Sequence, residues 1–296
     1  MKLKRLAGVM LLLALGAEHP AGAASPFDWP EHLEWNAEFR GVDSTSVTLT
    51  EPRPLRVHAM RIDLAAPGVS VCTNRDNGDR AEETDGYKTS SFLRRRGCQL
   101  AINGAPFWPG VKYEGTPQNV VGLVVEKGVL VSPVDSGEKA RAALVFRGDR
   151  ATIEWPPIDL EGIDTAVGGF GVVLERGQPV RDETSPPGVL DGRHPRTAVG
   201  ASSNGRVLYL VAVDGRQEGY SEGVDLAELG ELMGLLGATE AMNLDGGGTT
   251  SMAIEGEDGE PRLVNRPIDG GVPGQERVGA NHLGVYAERA LADVAQ

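Results

Sequence analysis

The sequence predicts an α+β fold of mixed, mostly antiparallel sheets with few helices, gathered into a single domain over residues 46–288. Three observations carry that prediction. Short segments that alternate apolar and polar side chains recur along the chain, the period of half-buried strands. The 40 glycines and 19 prolines lie largely between those segments, where they supply turns. Only one stretch carries a long apolar stripe at helical spacing. At 296 residues, 40% hydrophobic and 24% charged, the chain is globular in composition and long enough to bury a substantial core.

The formal charge of −13 argues against nucleic acid and anionic membrane surfaces as partners, because the field of the chain repels phosphate. An anionic substrate then needs a local basic pocket. Lys2, Lys4 and Arg5 precede an apolar run over residues 6–17, and Ala21-Gly22-Ala23 follow it. A charged start, a run too short to span a bilayer and a small-residue cleavage site read as a signal peptide over residues 1–23. The mature chain is expected to be secreted or periplasmic, with no membrane contact after cleavage. Cys72 and Cys98, the two cysteines, are expected to pair as a disulfide in that oxidising compartment.

Residues 24–45 lack periodicity and read as an N-terminal leader. Regular structure is expected from residues 47–49, followed by the alternating strand 55–62, where His58 reads as a strand-surface side chain. Residues 74–86 are charged and glycine-punctuated, a loop. A short helix is expected over 89–95, capped by Thr89 or Ser90, with Arg94, Arg95 and Arg96 as a solvated basic end. Residues 99–103 form a short strand that ends in Asn103-Gly104, strong turn chemistry, and Phe107 and Trp108 follow as core filler or as a wall for a sugar ring. Hairpins are expected around residues 126–128 and around Gly148-Asp149. Residues 166–174 read as one buried strand.

The next segment reverses the sign of the chain. Arg193, His194 and Arg196 lie within four residues of a strand start, and that strand (197–201) returns over 206–213 into Asp214-Gly215-Arg216. Strand ends that carry arginine beside aspartate are places where an ionic site can be assembled. Asp225 opens the one convincing helix, with Leu226, Leu229, Leu232, Met233 and Leu236 on one face and Gly237 as its stop. A strand over 240–244 then delivers the chain into Asn243-Leu244-Asp245-Gly246-Gly247-Gly248-Thr249-Thr250-Ser251-Met252. Three glycines allow positive φ and let bare backbone approach a ligand. Residues 252–254 and 262–264 read as a closing hairpin, 277–286 as the last strand, and 289–296 as a C-terminal tail.

Five blocks now stand in one order: Ala101-Ile102-Asn103-Gly104, Arg196-Thr197-Ala198-Val199-Gly200, Val213-Asp214-Gly215-Arg216, the run from Asn243 through the glycines to Thr250, and Asn281-His282-Leu283-Gly284-Val285. Together they resemble the phosphodiester glycosidase family over roughly residues 55–286. Pro106 stands before the aromatic pair, and Thr249 stands where serine is common. The resemblance implies hydrolysis of the sugar C1–O bond of a sugar-1-phosphodiester, N-acetylglucosamine being a family sugar, with a glycan or sugar-1-phosphodiester as partner.

That chemistry asks for positive charge on the departing phosphate and negative charge near the anomeric carbon. Arg196 is the candidate for bidentate phosphate binding, supported by Arg216, Arg193 and His194. The N–H groups of Gly246, Gly247 and Gly248 would complete the cradle. Asp214 and Asp245 are the candidate carboxylates. Asn103 would bond a sugar hydroxyl and Phe107 would stack on the ring, with Gly104, Thr249 and His282 beside them. No cofactor is expected, although carboxylates and carbonyls leave a divalent cation such as calcium open. Three rival readings accompany this one, the first a metal-dependent phosphodiesterase using Asp214 and Asp245. A non-catalytic carbohydrate or wall-polymer binding module would keep the aromatics and glycines. A serine esterase is suggested by Gly219-Tyr220-Ser221-Glu222-Gly223 with Asp245 and His282 following, but its serine needs a sharp strand-to-helix turn, and Ser221 lies eight residues past Val213.

Overall fold

The computed structural model describes residues 26–134, 141–180 and 191–289. The expected signal peptide lies outside these residues, as do residues 290–296 of the expected tail. In chain order the strands are β1 (Asn36–Phe39), β2 (Val42–Leu49), β3 (Leu55–Asp63), β4 (Ser70–Cys72), β5 (Thr84–Asp85), β6 (Leu100–Asn103), β7 (Phe107–Trp108), β8 (Pro117–Val120), β9 (Val124–Glu126), β10 (Val129–Ser132) and β11 (Ala143–Arg147). They continue with β12 (Arg150–Glu154), β13 (Thr165–Gly168), β14 (Gly171–Glu175), β15 (Gln178–Pro179), β16 (Arg196–Ala201), β17 (Val207–Val213), β18 (Glu240–Asn243), β19 (Met252–Glu255), β20 (Pro261–Leu263) and β21 (His282–Tyr286). The helices are α1 (Thr89–Arg96) and α2 (Leu226–Leu236).

An eight-stranded sheet runs β1-β2-β3-β17-β16-β18-β14-β15, and two five-stranded sheets run β20-β19-β6-β21-β4 and β10-β9-β13-β11-β12. Strands β5, β8 and β7 make a small fourth sheet. Every pairing of these strands is antiparallel, so the mostly antiparallel expectation holds and its mixed component is not found among the described strands. One face of the large sheet (Met60, Ile62, Leu208, Leu210, Met242) packs on side chains of both five-stranded sheets, including Ile102, Leu144, Val167 and Leu283. Its other face carries α2. Helix α1 covers the outer face of the sheet that contains β6, through Phe92 and Leu93.

Helix α2 forms as its residues dictate. Asp225 accepts from the Glu228 N–H (2.9 Å) while Glu228 accepts from the Asp225 N–H (3.1 Å), a reciprocal cap, and Gly237 stops the helix at φ +104. Leu229, Leu232 and Met233 are fully buried, worth about 1.5–3 kcal/mol each. Gly230 faces β14, where an added Cβ would collide with the Val173 carbonyl oxygen. Gly230→Ala, which in an exposed helix would stabilise by about 1 kcal/mol, is therefore expected to destabilise this protein by roughly 2 kcal/mol. A lower urea midpoint checks it; an unchanged or higher one contradicts the packing.

Several elements differ from the sequence expectation. Regular structure begins at Asn36, within the expected leader, because residues 42–49 pair with β3 along their whole length, from Val42↔Ile62 to Leu49↔Leu55. Ahead of them Phe27 enters the core beneath α2, and the Arg53 guanidinium lies 4.3 Å over its ring while ion-paired to Glu228. The single strand expected over 166–174 is two strands in different sheets. Gly168 and Gly169 make the crossing: a Cβ on the first would lie 3.1 Å from the Gly122 backbone, and one on the second 2.6 Å from the Met242 sulfur. Helix α1 is capped from outside, by the Glu276 carboxylate that accepts from the Ser90 N–H (2.9 Å). Its basic end is both solvated and partnered: Arg94 and Arg95 are exposed, Arg94 on Glu260 and Arg95 over the Tyr87 ring, while Arg96 turns to Glu126.

The expected disulfide is not formed. Cys72 and Cys98 are free and buried, their sulfurs against Gly284, where a Cβ would lie 2.9 Å from each. The thiols meet as hydrogen-bond partners, which draws Cys72 down to about 7 and, with burial, pushes Cys98 up.

Candidate functional site

Antiparallel pairing brings the functional strand ends together. Arg196 at the start of β16 faces Val213 at the end of β17, and Ala198 faces Asn243 at the end of β18. In the neighbouring sheet the end of β6 and the starts of β19 and β21 share an edge. Asn103 joins the two groups. Its Nδ2 donates to the Asp245 carbonyl (2.6 Å), and its Oδ1 accepts from the Thr197 hydroxyl (2.8 Å) and the Ser251 N–H (3.0 Å). With these bonds and 1% exposure it holds the turn and is not the expected contact for a sugar hydroxyl. Gly104 accepts from the Asp245 N–H (3.0 Å), and its own Cβ would collide with the Asn281 side chain, so it too is a packing position.

The glycine turn has a role other than the expected amide cradle. The Gly247 N–H donates to the Pro195 carbonyl (2.9 Å), and the Gly246 N–H turns to the Asp245 carboxylate, which leaves only Gly248 of the three with a free N–H among the described residues. What the missing side chains admit is arginine. A Cβ on Gly247, at φ +64, would lie 2.9 Å from Nη1 of Arg216, and one on Gly248 would lie 2.5 Å from Nη2 of Arg277. Two guanidinium groups are thus seated on consecutive glycines. Arg277 also donates to Asp269 (2.7 Å) and to the Thr249 hydroxyl (3.2 Å).

Asp245 stands at the edge of this seat. Burial pushes its carboxyl up to about 6, against the Thr249 hydroxyl, Arg277 and the Gly246 N–H, which favour the charged form. The side chain stays partly open to solvent. Phe107 lies alongside: a Cβ on Gly279 would come 3.3 Å from its ring and 3.7 Å from the Thr249 methyl.

Arg196 turns inward. Its Nε and Nη2 donate to the carbonyls of Val224 (3.1 Å) and Gly192 (2.8 Å), and burial together with Arg216 lowers it to about 10 despite Asp225. It braces the loop under Gly246, in place of the bidentate phosphate contact expected of it. His194 Nδ1 lies 3.2 Å from Nη2 of Arg216, and Arg193 reaches Glu222 at 3.9 Å on the rim. Asp214 is 1% exposed and accepts from Asn265 Nδ2 (2.9 Å), the Arg266 N–H (3.0 Å) and the Tyr220 hydroxyl (3.2 Å). It ties loops together and is not aligned with Asp245 as a second open carboxylate. His58 is drawn into this cluster, with Nε2 buried and 3.4 Å from the Asp214 carboxylate, where the sequence read it as a surface side chain. The Tyr220 ring lies 5.4 Å from the Arg56 guanidinium and 4.8 Å from that of Arg266.

His282 is absent from the site. It stacks on Phe92 (centroids 4.8 Å), lies beside Asn74, and is lowered to about 3 by burial, a core histidine. The esterase reading loses its nucleophile as well as its histidine: Ser221 is fully buried, donates to the Asp214 carbonyl (2.6 Å) and accepts from the Arg56 N–H (3.0 Å). Sequence reasoning missed Arg277 and Asp269. Arg277 lies ahead of β21, in a segment expected to be strand, and its spacing from Asp245 carries no motif. Among the described residues no group of three or more His, Cys, Asp or Glu is placed to hold a metal ion, and no helix is long and apolar enough to cross a membrane. A groove of about 870 Å³ around Trp155 lies at the opposite strand ends and contains none of these residues.

The fold recurs in solved structures. A hypothetical protein from Synechocystis matches with a TM-score of 0.61 at 16% identity, over 88% of this chain and 64% of that one. The catalytic domain of zebrafish N-acetylglucosamine-1-phosphodiester alpha-N-acetylglucosaminidase, solved in a form auto-inhibited by its pro-peptide, also gives 0.61, at 21% identity over 90% of this chain and 87% of that one. At such identities the likeness concerns the fold. The SPbeta prophage-derived uncharacterized protein YomE of Bacillus subtilis (strain 168) is 29% identical over 188 residues, 61% of this chain and 27% of that protein. The chain spans about a quarter of that relative's length. Residues 96–286, which hold the glycine turn, both seated arginines and Asp245, match the phosphodiester glycosidase family, and the chain belongs to it.

Proposed function

We propose that this protein, exported after loss of residues 1–23, hydrolyses sugar-1-phosphodiesters at the sugar C1–O bond. The observation that carries the reading is the pair of guanidinium groups on Gly247 and Gly248 with the Asp245 carboxylate beside them. A phosphodiester seated there would meet Arg216, Arg277 and the Gly248 N–H, donors aimed at the charge that grows on the departing phosphate. The C1–O bond breaks with its electron pair leaving on the phosphomonoester, and water supplies the new oxygen at C1. Phosphate is a good leaving group, so this site requires little general-acid assistance. Asp245, ionised above about pH 6, places negative charge at the anomeric carbon, and Thr249 and Arg277 hold it there. Phe107 is positioned as the apolar side of the sugar site. Asp214, His194 and Arg196 position the loops that carry these groups.

Product analysis on a panel of sugar-1-phosphodiesters, with NMR of the first-formed anomer, tests the reaction and its stereochemistry together. Hydrolysis with retained C1–O and cleavage of P–O instead would sink the reading, as would tight glycan binding without turnover. Arg277→Ala is expected to lower kcat/KM by about 10³-fold, and Arg277→Lys to recover little of it, because a single ammonium cannot serve both Asp269 and the phosphate. Full activity in Arg277→Lys would show that the site does not need the forked guanidinium.

A further inference from the structure

We infer that Arg56 and Arg266 form a second anion subsite, so that the preferred substrates are sugar-1-phosphodiesters whose aglycone carries a further phosphoryl group. The inference rests on the reading of the glycine turn as the seat of the scissile phosphodiester. Its own basis is separate. The Tyr220 ring holds two guanidinium groups, Arg56 at 5.4 Å and Arg266 at 4.8 Å from its centre. Like charges gathered on one ring repel each other and are kept there by the aromatic face. Neither group forms a salt bridge to a carboxylate among the described residues, in a chain of net charge −13.

The pair is tied to the proposed site by short covalent and hydrogen-bonded links. The Arg266 N–H and the Tyr220 hydroxyl both donate to Asp214, two residues before Arg216, which itself packs on Gly247. Arg56 also donates to Thr48, its cross-strand partner on β2, and its backbone N–H to Ser221, so the side chain is fixed. Both side chains are reached by solvent. Guanidinium groups without a carboxylate partner, linked through Asp214 to the segment that carries Arg216, favour a ligand that spans both stations. A neutral alcohol or monosaccharide aglycone leaves the outer station empty, and an aglycone with its own phosphoryl group fills it.

The test compares three substrates that share one sugar: a methyl phosphodiester, a phosphodiester whose aglycone bears a phosphomonoester one sugar unit away, and a nucleoside diphosphate sugar. At low salt, kcat/KM for at least one of the phosphorylated aglycones is expected to exceed that for the methyl diester by about tenfold or more, and to fall steeply with ionic strength. The two phosphorylated substrates tell a neighbouring-unit phosphate from a directly attached one. Arg56→Gln with Arg266→Gln is expected to collapse the preference ratio toward one, and Arg56→Lys with Arg266→Lys to keep most of it. Equal rates for charged and neutral aglycones in the wild type, or a ratio unchanged in the double glutamine variant, would overturn the inference. If no sugar-1-phosphodiester is hydrolysed, the proposed reaction fails, and binding decides the subsite: tripolyphosphate is expected to bind more tightly than orthophosphate, and the double glutamine variant to abolish that difference. Equal binding of the two would overturn the subsite as well.

Discussion

Asp245→Asn is expected to be almost inactive and, at neutral pH, more stable than the parent. The first effect follows from removing the only open carboxylate on the glycine turn, a loss of about 10³-fold or more in kcat. The second follows from the environment of that carboxylate. Its folded-state value, about 6, lies above the ordinary aspartate range, so ionising it in the fold costs more than ionising it in the unfolded chain. Well below pH 4, the ordinary aspartate value, both states are protonated and the cost is absent. It grows as pH rises through the interval and is complete above about 6, on the order of 3 kcal/mol. Asparagine cannot ionise and escapes it. The difference in Tm between the variant and the parent should therefore be small at pH 4 and several degrees at pH 7, while the activity of the parent rises through about pH 6. A Tm difference that is constant across this range would refute the raised Asp245 carboxyl, whatever happens to kcat.

Gly248→Ala is the second large effect, and it should fall on catalysis with little change in the fold. The Gly248 φ is not positive, so the backbone accepts alanine. A Cβ there would lie 2.5 Å from Nη2 of Arg277 and 2.8 Å from Oδ1 of Asp269, both ends of side chains that can swing away. Moving Arg277 removes its hydrogen bond to Thr249 and withdraws charge from the phosphate seat. We expect kcat/KM to drop by about 10²-fold with Tm within a degree or two of the parent. Gly247→Ala differs, because its φ of +64 adds backbone strain of about 1 kcal/mol to the clash with Arg216. A Gly248→Ala protein with full activity would show that Arg277 does not need its seat.

What could be read from the sequence was local. The reciprocal cap of α2 lies in Asp225 and Glu228, three residues apart, and its stripe repeats at the helical period, so that helix was legible. The hairpins around residues 126–128 and Gly148-Asp149 were legible for the same reason. The division of residues 166–174 between two sheets was not, since it depends on Gly122 and Met242, far away in the chain. The site divided likewise. The glycine turn, Asp245 and Arg216 sit in recognisable runs. Arg277 has meaning only through the Cβ that Gly248 lacks. Asn103, Asp214, Arg196 and His282 were read as ligand contacts because a polar side chain near a turn looks the same whether or not its hydrogen bonds are already made. In the fold, Asn103 and Asp214 have several internal partners, Arg196 is spent on carbonyls, and His282 is stacked in a core.

Asn103 gives the arrangement a mechanical property. A single amide side chain reaches from the end of β6 to Thr197 in β16, to Ser251 ahead of β19, and to the carbonyl of Asp245. The two sheets therefore cannot shear past one another without straining the hydrogen bond from that side chain to Asp245. Alignment of the layers and placement of the Asp245 backbone are joined through one side chain.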